Sequence, residues 1–333
     1  MPPFKKSSLI NRSKNSQSGG ARRRIAAPVS IIGGGRVGTA LGLALKRAGY
    51  QIDVVVTKRP SSARRAAKVF GRKTLALSAL QLDKLGPAQL ARLDQSSLIF
   101  ATPDDLIARL ARQLSNLLPP HRTNSHRIAL HTSGALSGEV LSPLRKSGFA
   151  VGSLHPLLAI SDPRSGANSL SEAFFSIEGD PAAARFARQI VRDLDSESFT
   201  INPGSKALYH AAALFASPHM TALFDIAVEL LTKCGVSRGR ARQVLIPLLE
   251  STVKNLARQE PTRALTGTFR RGDTATVRKH LAALNEADVP EALAAYEVLG
   301  RRSLAMASRH KSNRAAFDMI TSILAKTEKL TID

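Results

Sequence analysis

Three glycines, Gly33, Gly35 and Gly38, lie between a short apolar run and an amphipathic one, and they constrain this chain more than any other feature. Val29 to Ile32 reads as a strand, Arg36 to Ala48 as a helix stopped by Gly49, and Ile52 to Val56 as a second strand. Strand, helix and strand fit within about 30 residues, the length of one βαβ unit, whose two strands must run parallel in one sheet. The glycines then occupy the strand-to-helix turn. The first permits the tight turn, the second lets the main chain approach a diphosphate, and the third allows helix and strand to pack closely. The diphosphate would rest on the helix N-terminus. Dinucleotide binding follows, with Gly33, Gly35, Arg36, Val37 and Gly38 as cofactor-binding candidates.

The second strand ends Val56-Thr57-Lys58-Arg59. An NAD site usually has an acid here for the ribose 2′-hydroxyl, whereas a hydroxyl and two cations suit a 2′-phosphate. Thr57, Lys58 and Arg59 therefore point to NADP over NAD, with Arg36 able to assist. Ala101-Thr102-Pro103-Asp104 follows the strand Leu98 to Ala101, expected on the other side of the switch point. Thr102 and Pro103 are further cofactor contacts, and Asp104 reads as a helix N-cap.

Strands at Ile128 to His131 and Ala150 to Leu154 continue the sheet, with helices Asp104 to Ser115 and Ser137 to Lys146 between them. Phe174 to Ile177 and Phe199 to Ile201, separated by the helix Pro181 to Leu194, add two last strands. After Pro203 and Gly204 the pattern becomes wholly helical: Lys206 to Lys233, Ser237 to Gln259, Thr274 to Glu286, Pro290 to Ser308 and Asn313 to Lys329. Pro218 and Pro247 fall inside two of these and predict kinks or breaks. The fold class is thus an α/β Rossmann-type doubly wound parallel sheet followed by an all-α C-terminal domain. The domains span 28–203 and 204–333, preceded by a tail at 1–27.

Hydrophobic residues make up 43% of the chain and aromatics 5%, with no Trp, so the interior must be Ala, Leu, Val and Ile, which suits helices packed on a sheet. One cysteine, Cys234, excludes an internal disulfide, and no Cys/His cluster has zinc-site spacing. A reducing, cytoplasmic setting is the simplest reading. No uninterrupted run of about 18 apolar residues occurs, so no membrane span is expected. The formal charge of +23 attracts anions. Residues 1–27 hold seven Lys and Arg and no acid among many Ser, Asn and Gly, which reads as a disordered tail and not as a secretory signal. The tail shares Arg and Ser with mitochondrial presequences but is only weakly amphipathic. Nucleic acid remains an alternative partner.

Ser133 in His131-Thr132-Ser133-Gly134 and His155 in Gly152-Ser153-Leu154-His155-Pro156 lie just past strand C-termini, where open sheets place ligands. They are substrate-binding candidates. Lys206 and His210, four residues apart, project from one helix face. A lysine in a partly desolvated cleft can give a proton to a carbonyl or imine, so these two are the catalytic candidates. Arg271-Gly272-Asp273 precedes another helix, with Asp273 as its N-cap.

Ile31 to Gly38 (IIGGGRVG), His131 to Ala135 (HTSGA), Gly152 to Leu157 (GSLHPL), Lys206 to His210 (KALYH) and Leu265 to Asp273 (LTGTFRRGD) together resemble the family that joins a Rossmann-like domain to the domain of unknown function 2520. The resemblance runs from about residue 28 to at least residue 285. More distantly, the layout is similar to pyrroline-5-carboxylate reductase, ketopantoate reductase and the 3-hydroxyacid dehydrogenases, with a helical domain like the C-terminal domain of 6-phosphogluconate dehydrogenase. Ser217-Pro218-His219 is similar to the first of these. In the latter two enzymes a helix offers substrate a lysine and, four residues on, an asparagine; here Lys206 matches, but His210 stands in the second position. The resemblance implies the fold, a homodimer and, by analogy, an NADP-dependent oxidoreductase acting on a small, carboxylated carbonyl, imine or hydroxy substrate. A non-catalytic dinucleotide sensor or scaffold stays open beside it.

Overall fold

The computed structural model describes residues 28–120, 127–310 and 314–330. The basic tail lies outside them. Residues up to Ala213 form one compact unit and those from Leu214 onward another. The division falls after Ala213, not after Pro203, because the first turn of the helix at Lys206 buries its lysine among sheet residues.

In the first unit the order is β1 (Val29–Ile32), α1 (Arg36–Arg47), β2 (Ile52–Thr57), α2 (Pro60–Phe70), β3 (Leu75–Ser78), α3 (Pro87–Asp94), β4 (Ser97–Phe100), α4 (Asp104–Leu117) and β5 (Arg127–His131). There follow β6 (Phe149–Leu157), α5 (Pro163–Ser169), β7 (Phe174–Gly179), α6 (Pro181–Asp193), β8 (Glu197–Thr200) and α7 (Lys206–Ala216). The stretch Gly138–Ser147, expected as an α-helix, is a 3-10 helix holding Pro143, which cannot donate to an α-helical ladder. The strands form one sheet in the order β3-β2-β1-β4-β5-β6-β7-β8. Only the β6/β7 pair is antiparallel.

Every residue of β1, β2 and β4 is buried, as a sheet covered on both faces requires. Successive side chains alternate between two cores. Val29, Ile31, Val55 and Ile99 join Leu41 and Leu45 of α1, whereas Ile32, Val54, Val56, Leu98 and Phe100 pack with Ile107, Leu110 and Leu114 of α4. Each such fully buried Leu or Ile contributes about 1.5–3 kcal/mol. The reversal of strand order between β1 and β4 opens a crevice at their carboxyl ends, the usual ligand position in such sheets.

The second unit continues through α8 (Pro218–Lys233), α9 (Arg238–Leu256), α10 (Pro261–Ala264), α11 (Gly267–Arg271), α12 (Thr274–Glu286), α13 (Pro290–Ala307) and α14 (Arg314–Leu330). Its core gathers Val277, Leu281 and Leu284 with Leu293, Leu304, Phe317, Ile320 and Leu324. Asp273 caps α12 as expected, accepting from Thr276 N at 3.0 Å. The two prolines behave differently. Pro218 breaks the expected Lys206–Lys233 helix by taking the first position of α8, while α9 runs straight through Pro247, whose freed partner carbonyl belongs to solvent-exposed Gln243. Contrary to the apolar-run count, the helical stretch Pro203–Lys233 is long and apolar enough to cross a membrane by length and composition, since Ser217, His219 and Thr221 interrupt the run without offsetting its apolar content.

Candidate functional site

A cavity of about 500 Å³ opens at the carboxyl ends of β1, β2 and β4. Of the candidates, Gly33, Gly35, Thr57, Lys58, Thr102 and Pro103 line it; Arg36, Val37, Gly38 and Arg59 do not. The glycines differ in what holds them. Gly33 has φ +121°, and a Cβ there would collide with the Ala101 carbonyl. A Cβ on Gly38 would collide with the Gly33 carbonyl, so these two serve the packing of turn on strand. A Cβ on Gly35 would meet nothing within 4 Å. Gly35 also begins α1 with ordinary backbone angles and no side-chain cap, so no capping side chain occupies the first-turn N–H groups that follow it.

The wall beyond β2 is firm. Thr57 Oγ1 donates to Arg59 O at 2.9 Å, and Ser78 Oγ donates to Lys58 O at 2.9 Å, so the Thr57–Arg59 loop is pinned from both sides. Thr57 thus spends its hydroxyl on the loop. Lys58 is exposed at the cavity edge beside Ser62, from the first turn of α2, which the sequence reading missed because α2 is rich in Arg and Ala and lacks an apolar stripe of large residues. Thr102 Oγ1 is buried with no hydrogen-bond partner among the described residues. A dinucleotide with a 2′-phosphate fits this set: an open approach at Gly35, a hydroxyl without a partner at Thr102, and a cation with a hydroxyl at Lys58 and Ser62.

A second cluster lies at the carboxyl ends of β5 and β6. Lys206 is 1% exposed, and its Nζ donates to Ser153 Oγ at 2.9 Å and Ser133 O at 3.3 Å. Burial holds its pKa below the usual lysine range, opposed by the carboxylates of Glu178 and Asp104. The structure thus brings the catalytic candidate Lys206 together with the substrate candidate Ser133, with its ammonium buried between Ser153 and Ser133. Ser133 is likewise committed, donating to Asp104 Oδ2 at 2.9 Å and accepting from Ala135 N and Leu136 N at 3.1 Å each. It shapes the loop and has no hydroxyl left to offer a substrate. Asp104 is not the N-cap of α4; Pro103 holds that position, and the Asp104 carboxylate ties the β4 and β5 loops together through Ser133.

His155 and His210 are only half-buried, and their rings meet edge-on with centroids 6.0 Å apart. His155 Nδ1 and the Tyr209 hydroxyl are hydrogen-bonded at 2.6 Å. A Cβ on Gly134 would run into His210 Nδ1 and come within 2.9 Å of His155 Nε2, so a glycine is required for both rings to close over the loop. Burial, with the Lys206 charge adding to it, pulls His155 down to about 3 and keeps it neutral. Ser153, Glu178 and Tyr209 complete the cluster without having been expected. Glu178 accepts from Gly138 N at 2.7 Å, and burial raises its pKa. Tyr209 was within reach of the lysine–histidine spacing argument, but nothing in the sequence shows that β6 and β7 pair to bring Glu178 opposite Ser153.

His131 is fully buried, and burial lowers it to about 4. Its folded value lies below the unfolded one, so the unfolded chain takes up more protons as pH falls from about 6.5 to 4, and stability present above that window is lost within it. Between pH 7 and pH 5 this group is expected to remove about 2 kcal/mol. Urea unfolding at the two pH values checks it against His131→Asn, whose amide oxygen can replace the acceptor for Ser133 N and should flatten the pH dependence.

Residues 13–156 match the model of the Rossmann-like domain, and residues 173–303 match a domain of unknown function, DUF2520. No curated protein matches the chain. Among solved structures, a Bacteroides fragilis protein assigned as an NADP oxidoreductase is similar with a TM-score of 0.65 at 24% identity, covering 84% of this chain and 98% of its own. An imine reductase from Myxococcus stipitatus in complex with NADP+ gives 0.54 at 17% identity over 91% and 94%. A pyrroline-5-carboxylate reductase from Streptococcus pyogenes gives 0.52 at 14% identity over 85% and 98%. At these identities the likeness is one of fold. With its two regions matched in this order, the chain joins a Rossmann-like domain to the domain of unknown function DUF2520.

Proposed function

We propose that the protein is an NADP-dependent oxidoreductase acting on a small carbonyl, imine or hydroxy substrate, with a carboxylate as the substrate's second handle. The observation that carries the reading is the middle glycine: Gly35 has open space where a side chain would stand, in a cavity that also holds Lys58 and Ser62. The imine reductase that shares this fold was solved with NADP+, which supports the cofactor class. When bound, the nicotinamide supplies hydride chemistry. The chain's own part is to hold and orient. N–H groups at the start of α1 receive the diphosphate, Lys58 and Ser62 receive the 2′-phosphate, and Thr102 offers its hydroxyl beside them. His155, neutral and fixed by Tyr209, holds a proton at Nε2 when its Nδ1 accepts from the phenol; that N–H is the donor to a substrate oxygen or nitrogen. His210 orients the substrate beside it. Lys206 acts from below, holding the Ser133 loop and keeping His155 uncharged.

Fluorescence titration of the full chain tests the cofactor assignment. Lys58→Ala/Ser62→Ala is expected to weaken NADPH by about 10- to 100-fold, the loss of one or two charge-assisted hydrogen bonds, with NADH altered little. Equal affinities for the two nucleotides in the wild type, or binding of neither, would overturn it.

The homodimer implied by the resemblance is proposed on a separate observation. Val244, Leu248, Val253 and Leu256 of α9 are 44–64% exposed, so the helix leaves large apolar side chains uncovered on more than one side, as a helix covered by a partner would. Light scattering is expected to give twice the chain mass. Leu248→Glu should return the monomer, and a wild-type monomer at micromolar concentration would remove the proposal.

A further inference from the structure

The segment from Val54 to Leu82 contains no Asp or Glu, yet it holds Lys58, Arg59, Arg64, Arg65, Lys68, Arg72 and Lys73. All seven are exposed. Helical geometry sorts them: Ala63, Ala66, Ala67 and Phe70 are the buried side of α2, which turns Arg64, Arg65 and Lys68 outward, with Arg72 and Lys73 continuing past its end. None of the seven has an ion-pair partner among the described residues. The contrast with α6 is informative. Arg185, Arg188 and Arg192 also face outward there, but Asp180, Asp193 and Asp195 flank them, so that segment carries no net charge. A field of one sign over a helix face draws phosphate and is not self-neutralised.

We propose that the outer face of α2 is a docking surface for the phosphate backbone of a nucleic-acid duplex, a function separate from the cofactor cavity. Three features select this partner. Lys58 belongs to the cofactor cavity; of the six other cations arginine supplies four, and its planar fork matches phosphate oxygens. No aromatic side chain stands on the outer face to stack an unpaired base, which disfavours single strands. The apolar side of α2 is spent against the core, and Val69, 39% exposed, is the one large apolar side chain that α2 leaves uncovered, too little to anchor in a lipid surface. Contacts of this kind read the backbone and not the bases, so the binding is insensitive to sequence and strongly dependent on salt.

The test uses the full chain and a short fluorescein-labelled DNA duplex, titrated between about 50 and 200 mM salt. Arg64→Gln/Arg65→Gln/Lys68→Gln keeps good helix formers at exposed positions and should leave thermal unfolding unchanged. It is expected to weaken the duplex by at least tenfold and to flatten the slope of log K against log salt by about 2–3. The matched change on α6, Arg185→Gln/Arg188→Gln/Arg192→Gln, should alter neither quantity appreciably. Equal losses from the two triple variants would show bulk charge in place of a surface and would overturn the proposal. So would failure of the wild type to bind duplex at physiological salt, or binding to phosphatidylserine vesicles with none to duplex.

Discussion

Gly35→Asp is expected to weaken NADPH by about a hundredfold or more while leaving the protein as stable as the wild type, or slightly more so. The side chain has room, since a Cβ at this position meets nothing within 4 Å, and the backbone angles of −75° and −170° are open to any residue. An aspartate at a helix N-cap can accept from the first-turn N–H groups and adds about 0.5–2 kcal/mol relative to a poor cap, less relative to glycine. Those same N–H groups are the ones proposed to hold the diphosphate. The carboxylate therefore both occupies the donors and sets a negative charge against the phosphates, a juxtaposition that costs several kcal/mol. Gly38→Ala is the counterpart, because its methyl group runs into the Gly33 carbonyl; here the melting temperature should fall. Retained NADPH affinity in Gly35→Asp would place the nucleotide elsewhere or remove it from the account.

The second large effect is expected at Lys206. Replacing it with Met keeps the length and nearly the volume of the side chain but removes the charge that Glu178 and Asp104 face. No ion pair joins Lys206 to either carboxylate among the described residues, so the loss is expected to stay below the roughly 3–5 kcal/mol of a broken buried salt bridge. Glu178 is the more affected of the two, being 6% exposed and facing Lys206 through space, with its hydrogen bond made to Gly138 N. Glu178→Gln preserves the acceptor for that N–H and removes the negative charge. The double variant Lys206→Met/Glu178→Gln should then be more stable than Lys206→Met alone, with a coupling of at least about 1 kcal/mol in a double-mutant cycle of urea unfolding. Strict additivity would mean that the two groups do not interact, and Lys206 would be held only by Ser133 and Ser153.

Much of the first unit was legible because its signals are local. Val29–Ile32 is unbroken by charge, Gly49 ends a helix, and the glycine turn lies between them; each is a property of neighbours in sequence. The region from Pro60 to Asp94 was not read, since α2 buries mainly alanines and β3 is four residues long, so neither has the pattern of large apolar residues that declares an element. At the site, Lys206, His155 and His210 were found from spacing and from position after strands. Their roles were not, because burial decides them. Whether a lysine faces a cleft or lies under it depends on Ser153 and Glu178, which come from β6 and β7 and are paired across the antiparallel step of the sheet. Its position just past β5 and its hydroxyl make Ser133 a substrate-contact candidate in the sequence, and only the three bonds of that hydroxyl reveal a pin for the loop.

The unequal standing of the three turn glycines has a consequence for descent. Gly33 and Gly38 are kept by the chain's own geometry and would persist in any relative that folds this way, whatever it does. Gly35 is kept by nothing among the described residues, so a guest at the helix end is what would penalise its replacement. A lineage that stopped using the nucleotide would be free to lose this one residue at no cost to folding, and would show it sooner there than anywhere else in the turn. The middle position is therefore a record of use, whereas its two neighbours record only architecture.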